Sequence, residues 1–294
     1  MIDYDPKTLR AMFGKPIRPV IPISLSEVAA AARQLAGKLS ISGVQPKLSL
    51  ALEGETLVPV ERDGLFILKP QTQEFPELPQ NEYLCMQMGL RLGLNTAPCL
   101  LLALADGSPA YLVKRFDRRK DARRVAKLPC EDMQQILGGR DKYDGSHEQI
   151  ARAIREHCTY PPLELQRLFE LVLFHFAIGN GDAHKKNFSL LTAPDGTIAL
   201  SPAYDLVSSR LVLPSEADEL TLTLQGKRNA LTRADFLAFA AHLAISPTYA
   251  HNRLADLLAL RDVFGQMIAT SALSANLRAS LADILAERLA RLAG

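Results

Sequence analysis

The chain has 294 residues, 48% hydrophobic and 22% charged, enough to bury a sizeable core without disulfides or metals. Its formal net charge of +2 carries no global signature of polyanion binding. The most apolar stretch, "LFELVLFHFAIG", is too short to span a bilayer, which excludes a membrane helix there.

The segment "SLSEVAAAARQLAG" opens on Ser24 and carries Glu27 three residues on, the spacing of a capping box before a helix. Gly37 is placed to end that helix. "KLSLALEGETLVPV" alternates and predicts a β-hairpin turning near Glu53–Gly54. "GLFILKP" reads as a short apolar strand closed by Pro70. In "PQNEYLCMQMGLRLGL", Leu84, Met88 and Leu92 recur at helical spacing. A second hairpin follows, "CLLLAL", a turn at Asp106–Gly107, then "AYLVKRF".

Past Phe116 the composition shifts. The run Lys114–Lys127 has eight Lys or Arg and two Asp and no periodicity, so it reads as a solvated loop or as a contact for an acidic or RNA-bearing partner. Helical patterns follow in "SHEQIARAIREHC", "PPLELQRLFELVLFHFAIG", "RADFLAFAAHLA" and two long C-terminal amphipathic segments. The last of these, "SANLRASLADILAERLARLAG", is expected to pack on the helical part. One β interruption, "NFSLLTAPDGTIALSPAYD", has its turn signal at Asp195–Gly196. The order predicts an α+β protein of two lobes, a strand-rich one over residues 1–116 and a helix-rich one over residues 117–294. A cleft between lobes is a common place for a ligand.

Cys85, Cys99, Cys130 and Cys158 form no C-x-x-C pair, and three lie in apolar surroundings where a reduced, buried thiol is expected. The opening "MIDYDPKTLR" lacks a basic-then-apolar signal pattern. A cytoplasmic location is the expectation. His175, on an apolar helical stretch, reads as a core residue, and none of the histidines outside the catalytic candidates shows ligand spacing.

The densest polar cluster is "GNGDAHKKNFSLL". It places Asp182, His184, Lys186 and Asn187 between an apolar helix and an apolar strand, a rigid mount for reactive groups. Asp182 and Asn187 have the spacing D-x-x-x-x-N, which phosphotransfer enzymes use for a base and a Mg²⁺ ligand. Asp205, in "SPAYDLVSS", supplies a further hard oxygen. The competing reading is a polar helix end whose side chains only cap backbone groups. Lys69 ends the strand "LFILK" and is either a cation for nucleotide phosphates or a snorkelling strand-end lysine. Glu82 either orients Lys69 or sits in a first helical turn favoured by the dipole.

Six segments in order, "SISGVQPKLSL", "FILKPQ", "LPQNEYLCMQMGLRLGL", "YLVKRFDRR", "GNGDAHKKNFSLL" and "LSPAYDLVSS", resemble the successive motifs of the HipA-like serine/threonine kinases. These are toxins of bacterial HipBA-type toxin–antitoxin systems. The resemblance implies a two-lobed, protein-kinase-like fold that uses ATP and Mg²⁺. By matching position, Asp182 resembles the catalytic base, Asn187 and Asp205 the Mg²⁺ ligands, and Lys69 the lysine on the ATP phosphates. His184 and Lys186 fill the matching places in the catalytic loop. Val113, Lys114, Arg115 and Phe116 match the hinge that would hold adenine, with Lys114 where the family often has an acidic residue.

Only 39 residues precede Ser40, so the N-terminal subdomain of full-length HipA is expected to be missing. That and the paired serines of "SISG" resemble HipT of the three-gene HipBST arrangement, in which a separate small protein, HipS, resembles the missing piece. The implied partners are a HipB-like DNA-binding antitoxin, a HipS-like protein and an aminoacyl-tRNA synthetase as substrate. Nucleic acid would be reached only through the antitoxin complex. Two other readings of the residues stay open: a nucleotide-binding pseudokinase that acts as an interaction module, and a small-molecule phosphotransferase.

The same resemblance makes Ser40, Ile41, Ser42, Gly43, Val44 and Gln45 the phosphate loop, where small residues let backbone N–H groups approach the β- and γ-phosphates. Ser40 and Ser42 lie two apart, a spacing that in an extended segment faces one side, and either is a candidate for autophosphorylation. Two unit charges about 5 Å apart at an effective dielectric of about 20 repel by roughly 3 kcal/mol. A phosphate or its mimic on this loop is therefore expected to weaken ATP binding. Calorimetric titration of ATP into Ser40→Asp/Ser42→Asp protein is expected to give a Kd higher by on the order of a hundredfold per charge pair than a double-alanine control; equal affinities would remove the idea.

Overall fold

Alternating apolar residues in the first hairpin and continuous apolar runs in the strands that follow build the first sheet. The structure, a computed structural model, describes residues 4–35, 46–120, 124–215 and 218–294. The chain divides into two units, one of residues 1–83 and 97–127, the other of residues 84–96 and 128–294. The division is therefore not a single cut after residue 116: the segment between the third strand and the second hairpin is shared out between the units.

In the first unit, α1 (Pro6–Phe13) starts on Asp5, whose carboxylate accepts the Lys7 N–H, and ends at Gly14 with φ 74°. Helix α2 (Leu25–Leu35) opens on the expected capping box. The Ser24 N–H donates to Glu27 Oε2 at 2.7 Å, and the Glu27 N–H to Ser24 Oγ at 3.4 Å. The Gly37 stop and the Ser40–Gln45 loop lie outside the described residues.

Strands β1 (Leu48–Glu53) and β2 (Thr56–Pro59) form the first hairpin. Strand β3 (Phe66–Pro70) is followed by α3 (Leu78–Leu92), then by the second hairpin, β4 (Cys99–Ala103) and β5 (Pro109–Lys114). The five strands pair antiparallel in the order β2-β1-β3-β5-β4. Leu48, Leu50, Leu68, Leu100 and Leu112 are fully buried against Leu9, Met12 and Val28 of the two helices. That places β3, the strand carrying Lys69, in the centre of the sheet.

The basic run is not wholly irregular. Strands β6 (Arg118–Lys120) and β7 (Val125–Lys127) pair antiparallel, Arg118 opposite Lys127. Its two three-residue strands leave no hydrophobic pattern to read.

In the second unit, β8 (Cys130–Asp132) leads into α4 (Met133–Leu137) through an Asp132–Gln135 capping box. Helix α5 (His147–His157) starts on a Ser146–Gln149 box, and α6 (Pro161–Ala177) carries the most apolar stretch into the core. Strands β9 (Ser189–Thr192) and β10 (Ile198–Leu200) turn at Asp195–Gly196 and join β8 in the order β10-β9-β8. A short α7 (Ser209–Val212) and α8 (Arg233–His242) follow.

The C-terminal part is three helices rather than two: α9 (Pro247–Ala259), α10 (Arg261–Ala269) and α11 (Ala275–Ala293). The chain bends at Leu260, which keeps apolar spacing through the break and so hides it from the sequence pattern. Leu281, Leu285 and Leu289 of α11 are buried, and Glu219 receives both Arg288 and Arg291, so α11 packs within its own unit. Cys85, Cys99 and Cys158 are buried, and none of the four cysteines forms a disulfide. Among the described residues no helix is long and apolar enough to cross a membrane.

Two core histidines frame Phe188. His147 lies 5.8 Å and His175 5.7 Å from its ring, centroid to centroid. Burial pushes both imidazoles from the ordinary 6.5 down to about 3, with His175 also lowering His147. Between those values the unfolded chain binds protons that the folded chain refuses, so their contribution to stability is complete above about pH 6.5 and is lost as pH falls. Urea unfolding from about pH 6.5 to about pH 4.5 is expected to show a loss of about 1.4 kcal/mol per pH unit from each histidine. His147→Phe is expected to flatten that curve by one histidine's share; an unchanged slope would argue against a neutral, buried His147.

Candidate active site

Helix α6 ends among buried Phe174, Phe176 and Ala177, which fixes where the polar loop begins. Gly179 turns the chain with φ 67°, and a Cβ there would come within 2.8 Å of Ile284 Cγ2, so the turn needs glycine. The Gly181 carbonyl accepts the Thr221 hydroxyl. A 3₁₀ turn over Lys185–Asn187 then brings Asn187 back beneath the loop. Its Oδ1 accepts the His184 N–H at 3.0 Å, and its Nδ2 donates to Asp205 Oδ2 at 3.2 Å.

Asp205 reaches this position from the far side of the β9–β10 hairpin. The Ala203 N–H donates to Asn95 O at 2.7 Å. The Tyr204 hydroxyl donates to Lys186 O at 2.7 Å and lies 2.6 Å from Ser189 Oγ. Asp205 itself has φ 54°, the left-handed region that a non-glycine residue occupies only under constraint. Asp182 is exposed at the loop tip, while His184 and Asn187 are buried and Lys186 is half-buried. The sequence cluster and the distant aspartate are thus one constellation in the second unit.

Asn187 and Asp205 fit a Mg²⁺ ion. The His184 N–H fixes the Asn187 amide so that its oxygen faces the loop, and an amide oxygen has a second lone pair. On the other side of the amide, its Nδ2 holds the Asp205 carboxylate. Among the described residues no three His, Cys, Asp or Glu side chains group together for a metal. One carboxylate and one amide oxygen suit an ion that keeps waters and takes phosphate oxygens.

In the first unit Lys69 is not a snorkelling lysine. It is 6% exposed, and its Nζ lies 2.6 Å from Glu82 Oε1, which is itself buried on α3. The Nζ also stands 5.5 Å from the centroid of the Tyr111 ring. Glu82 lies beyond the first turn of α3, so the ion pair and not the helix dipole accounts for it. In the segment matched to the hinge, the N–H groups of Lys114 and Arg115 are taken by Pro98 O and Leu65 O, at 2.9 and 2.8 Å. Lys114 Nζ donates to Ala11 O in the last turn of α1 at 2.8 Å, and Arg115 grips Asp117 with two nitrogens. The Lys114 side chain therefore serves the end of α1. Val113 is paired within the sheet, opposite Ile67 and Cys99.

A family model described as the HipA-like C-terminal domain matches residues 39–263. The chain belongs to the HipA-like family. It is 31% identical over 208 residues to a putative kinase of Haemophilus influenzae, a match covering 66% of this chain and 60% of that one. It is 30% identical over 233 residues to the putative kinase Y4mE of Sinorhizobium fredii, covering 75% and 54%. The serine/threonine-protein kinase toxin HipA of Shewanella oneidensis is 31% identical over 189 residues, covering 58% and 43%. This HipA-like chain thus spans roughly half of the length of the curated relatives it matches.

Among solved structures it resembles Shewanella oneidensis HipA in complex with HipB and operator DNA, with a TM-score of 0.71, 24% identity, and 94% of this chain and 71% of that one covered. The Helicobacter pylori proinflammatory kinase CtkA gives a TM-score of 0.58 at 16% identity, covering 86% and 91%. The HipA-like chain has the fold of these kinases, with a strand-rich first part and a helical second part.

One neighbour of the Asp182–Asn187 loop gives no sequence signal. Lys142, in the glycine-flanked turn "GGRDKYDG", lies 2.7 Å from His184 Nε2 and 4.6 Å from the centroid of the Tyr143 ring. An ammonium only donates, so Nε2 accepts and the ring proton sits on Nδ1. Burial and then Lys142 hold the His184 pKa below its usual range, while Asp182 and Asp205 oppose them. Replacing the cation, Lys142→Met, is expected to move the His184 titration upward in pH, as read from its imidazole NMR signals. A midpoint that stays put or falls would show that Lys142 does not govern the ring.

Proposed function

We propose that this HipA-like chain is an ATP-dependent serine/threonine protein kinase and the toxin of a HipBST-type toxin–antitoxin system. The observation that carries the reading is the Asn187–Asp205 contact at 3.2 Å, with Asp182 exposed five residues before Asn187 on the same loop. A pseudokinase has no use for an intact set of this kind, and Lys69, Asp182, Asn187 and Asp205 are all present.

Asp182 accepts the proton of the acceptor hydroxyl as its oxygen bonds to the γ-phosphorus of ATP. The bond from that phosphorus to the β–γ bridging oxygen breaks, and ADP leaves with the electron pair. Lys186, on the same loop, offsets charge on the transferred group. Lys69, its ammonium fixed by Glu82, is the cation for the nucleotide phosphates. Asn187 and Asp205 hold Mg²⁺, which when bound neutralises the phosphate charge. His184 supports the loop by donating its backbone N–H to Asn187. The Ser40–Gln45 segment, outside the described residues, is assigned to the phosphates by its sequence motif, with Ser40 and Ser42 the autophosphorylation sites, and the Val113–Phe116 segment receives adenine.

The acceptor is a serine of a cytoplasmic protein, with an aminoacyl-tRNA synthetase as the substrate class and arrest of translation as the outcome. The partners are a HipB-like antitoxin and a HipS-like small protein. Support for the antitoxin comes from the similar Shewanella oneidensis HipA, whose structure is a complex with HipB and operator DNA. The substrate, HipS and magnesium rest on the sequence motifs.

Asp182→Asn is expected to lower the rate of phosphate transfer from labelled ATP to protein by about 10²- to 10⁴-fold while the chain stays folded. A wild-type rate in that variant would overturn the assignment of the base. Label appearing only in small molecules when the active chain is added to a cell lysate would replace a protein acceptor with a small-molecule one.

A further inference from the structure

We propose that His175 and Asn180 are positioning residues that hold the Asp205 main chain in the conformation that presents its carboxylate to the metal ion. The inference rests on the kinase reading above and adds to it a buried relay from α6 to the metal ligand.

Asn180 is 1% exposed and His175 is fully buried. The Asn180 Nδ2 lies 2.9 Å from His175 Nδ1 and 3.3 Å from the Asp205 carbonyl oxygen. An amide nitrogen has two hydrogens, enough for both. The reverse orientation would set the amide oxygen against a carbonyl oxygen, so Asp205 fixes which way the amide points. With Nδ2 donating, His175 Nδ1 must accept, and the ring proton sits on Nε2. Full burial keeps the imidazole neutral in the ordinary pH range, which preserves that acceptor.

What the relay holds is a strained residue. Asp205 has φ 54°, and a non-glycine residue keeps that conformation only where its surroundings over-determine it. Its two ends are gripped separately. Asn180 donates to the main-chain carbonyl, and Asn187 donates to the carboxylate at 3.2 Å. The His175 ring also packs edge-on to Phe188, the residue after Asn187. One histidine thus braces both ligands, Asp205 through Asn180 and Asn187 through its neighbour in the chain. Partners of this kind, one layer behind the ligands, tune a metal site through orientation.

The test uses the full chain with Mn²⁺ as the probe and a non-hydrolysable ATP analogue. Free Mn²⁺ is followed by electron paramagnetic resonance and the analogue by calorimetry. His175→Phe keeps the ring packing and removes the acceptor. Asn180→Leu removes both donors, and Asn180→Asp serves if the leucine variant does not fold. Each folded variant is expected to bind Mn²⁺ about 10- to 100-fold more weakly in the presence of the analogue. Analogue affinity in chelator is expected to stay within about twofold, since the relay acts on the metal ligands alone. In turnover, half-saturation by Mg²⁺ is expected to move up while KM for the protein acceptor does not. Folded variants that bind Mn²⁺ as the wild type does would overturn the relay and leave the kinase reading standing. Wild-type chain that binds no Mn²⁺ with the analogue would overturn both.

Discussion

The second unit is organised around one hydrogen bond, from the Asn187 amide to the Asp205 carboxylate. The two residues are eighteen apart in sequence, and the β9–β10 hairpin lies between them. To close that contact the hairpin must turn at Asp195–Gly196, β9 must pair with both β8 and β10, and the chain after β10 must come back over the 3₁₀ turn. The tyrosine before Asp205 fastens this return to the loop itself, through the Lys186 carbonyl and Ser189. Asp205 then takes a backbone conformation that only surrounding contacts can sustain. The meeting of Asn187 and Asp205 is thus maintained by ordinary backbone and side-chain hydrogen bonds.

The first unit solves a different problem, that of holding a charge inside a sheet. Lys69 lies on the central strand with its ammonium almost fully removed from water. Such a charge is tolerable only when paired, and Glu82 supplies the pair at 2.6 Å. The Tyr111 ring on β5 adds its face nearby. An arrangement with this desolvation cost adds little to stability. Its effect is a lysine held in one place by a buried partner.

Much of the fold was legible in the sequence because local rules governed it. The hairpins at Glu53–Gly54, Asp106–Gly107 and Asp195–Gly196, and the Ser24–Glu27 cap, are set by neighbouring residues. The elements that escaped notice are short ones that leave few turns or alternations to read: α1, α4 and α7, each of eight residues or fewer, the three-residue β8, and the β6–β7 ribbon. The break at Leu260 escaped for the opposite reason, since apolar spacing continues across it.

At the site, sequence alone nominated Asp182, His184, Lys186, Asn187, Asp205 and Lys69, because residue type and spacing carry chemistry and are written in the chain. It also carried the six motifs by which the chain joins the HipA-like family. It could not choose between two roles for Glu82, give any for Lys142, or tell that His175 meets Asn180. Those are contacts between residues 13, 42 and 5 apart. Even the shortest depends on how a helix ends and which way a buried amide turns. Side-chain burial, tautomer and backbone strain follow from what the rest of the chain packs around a residue, so only the tertiary structure decided them.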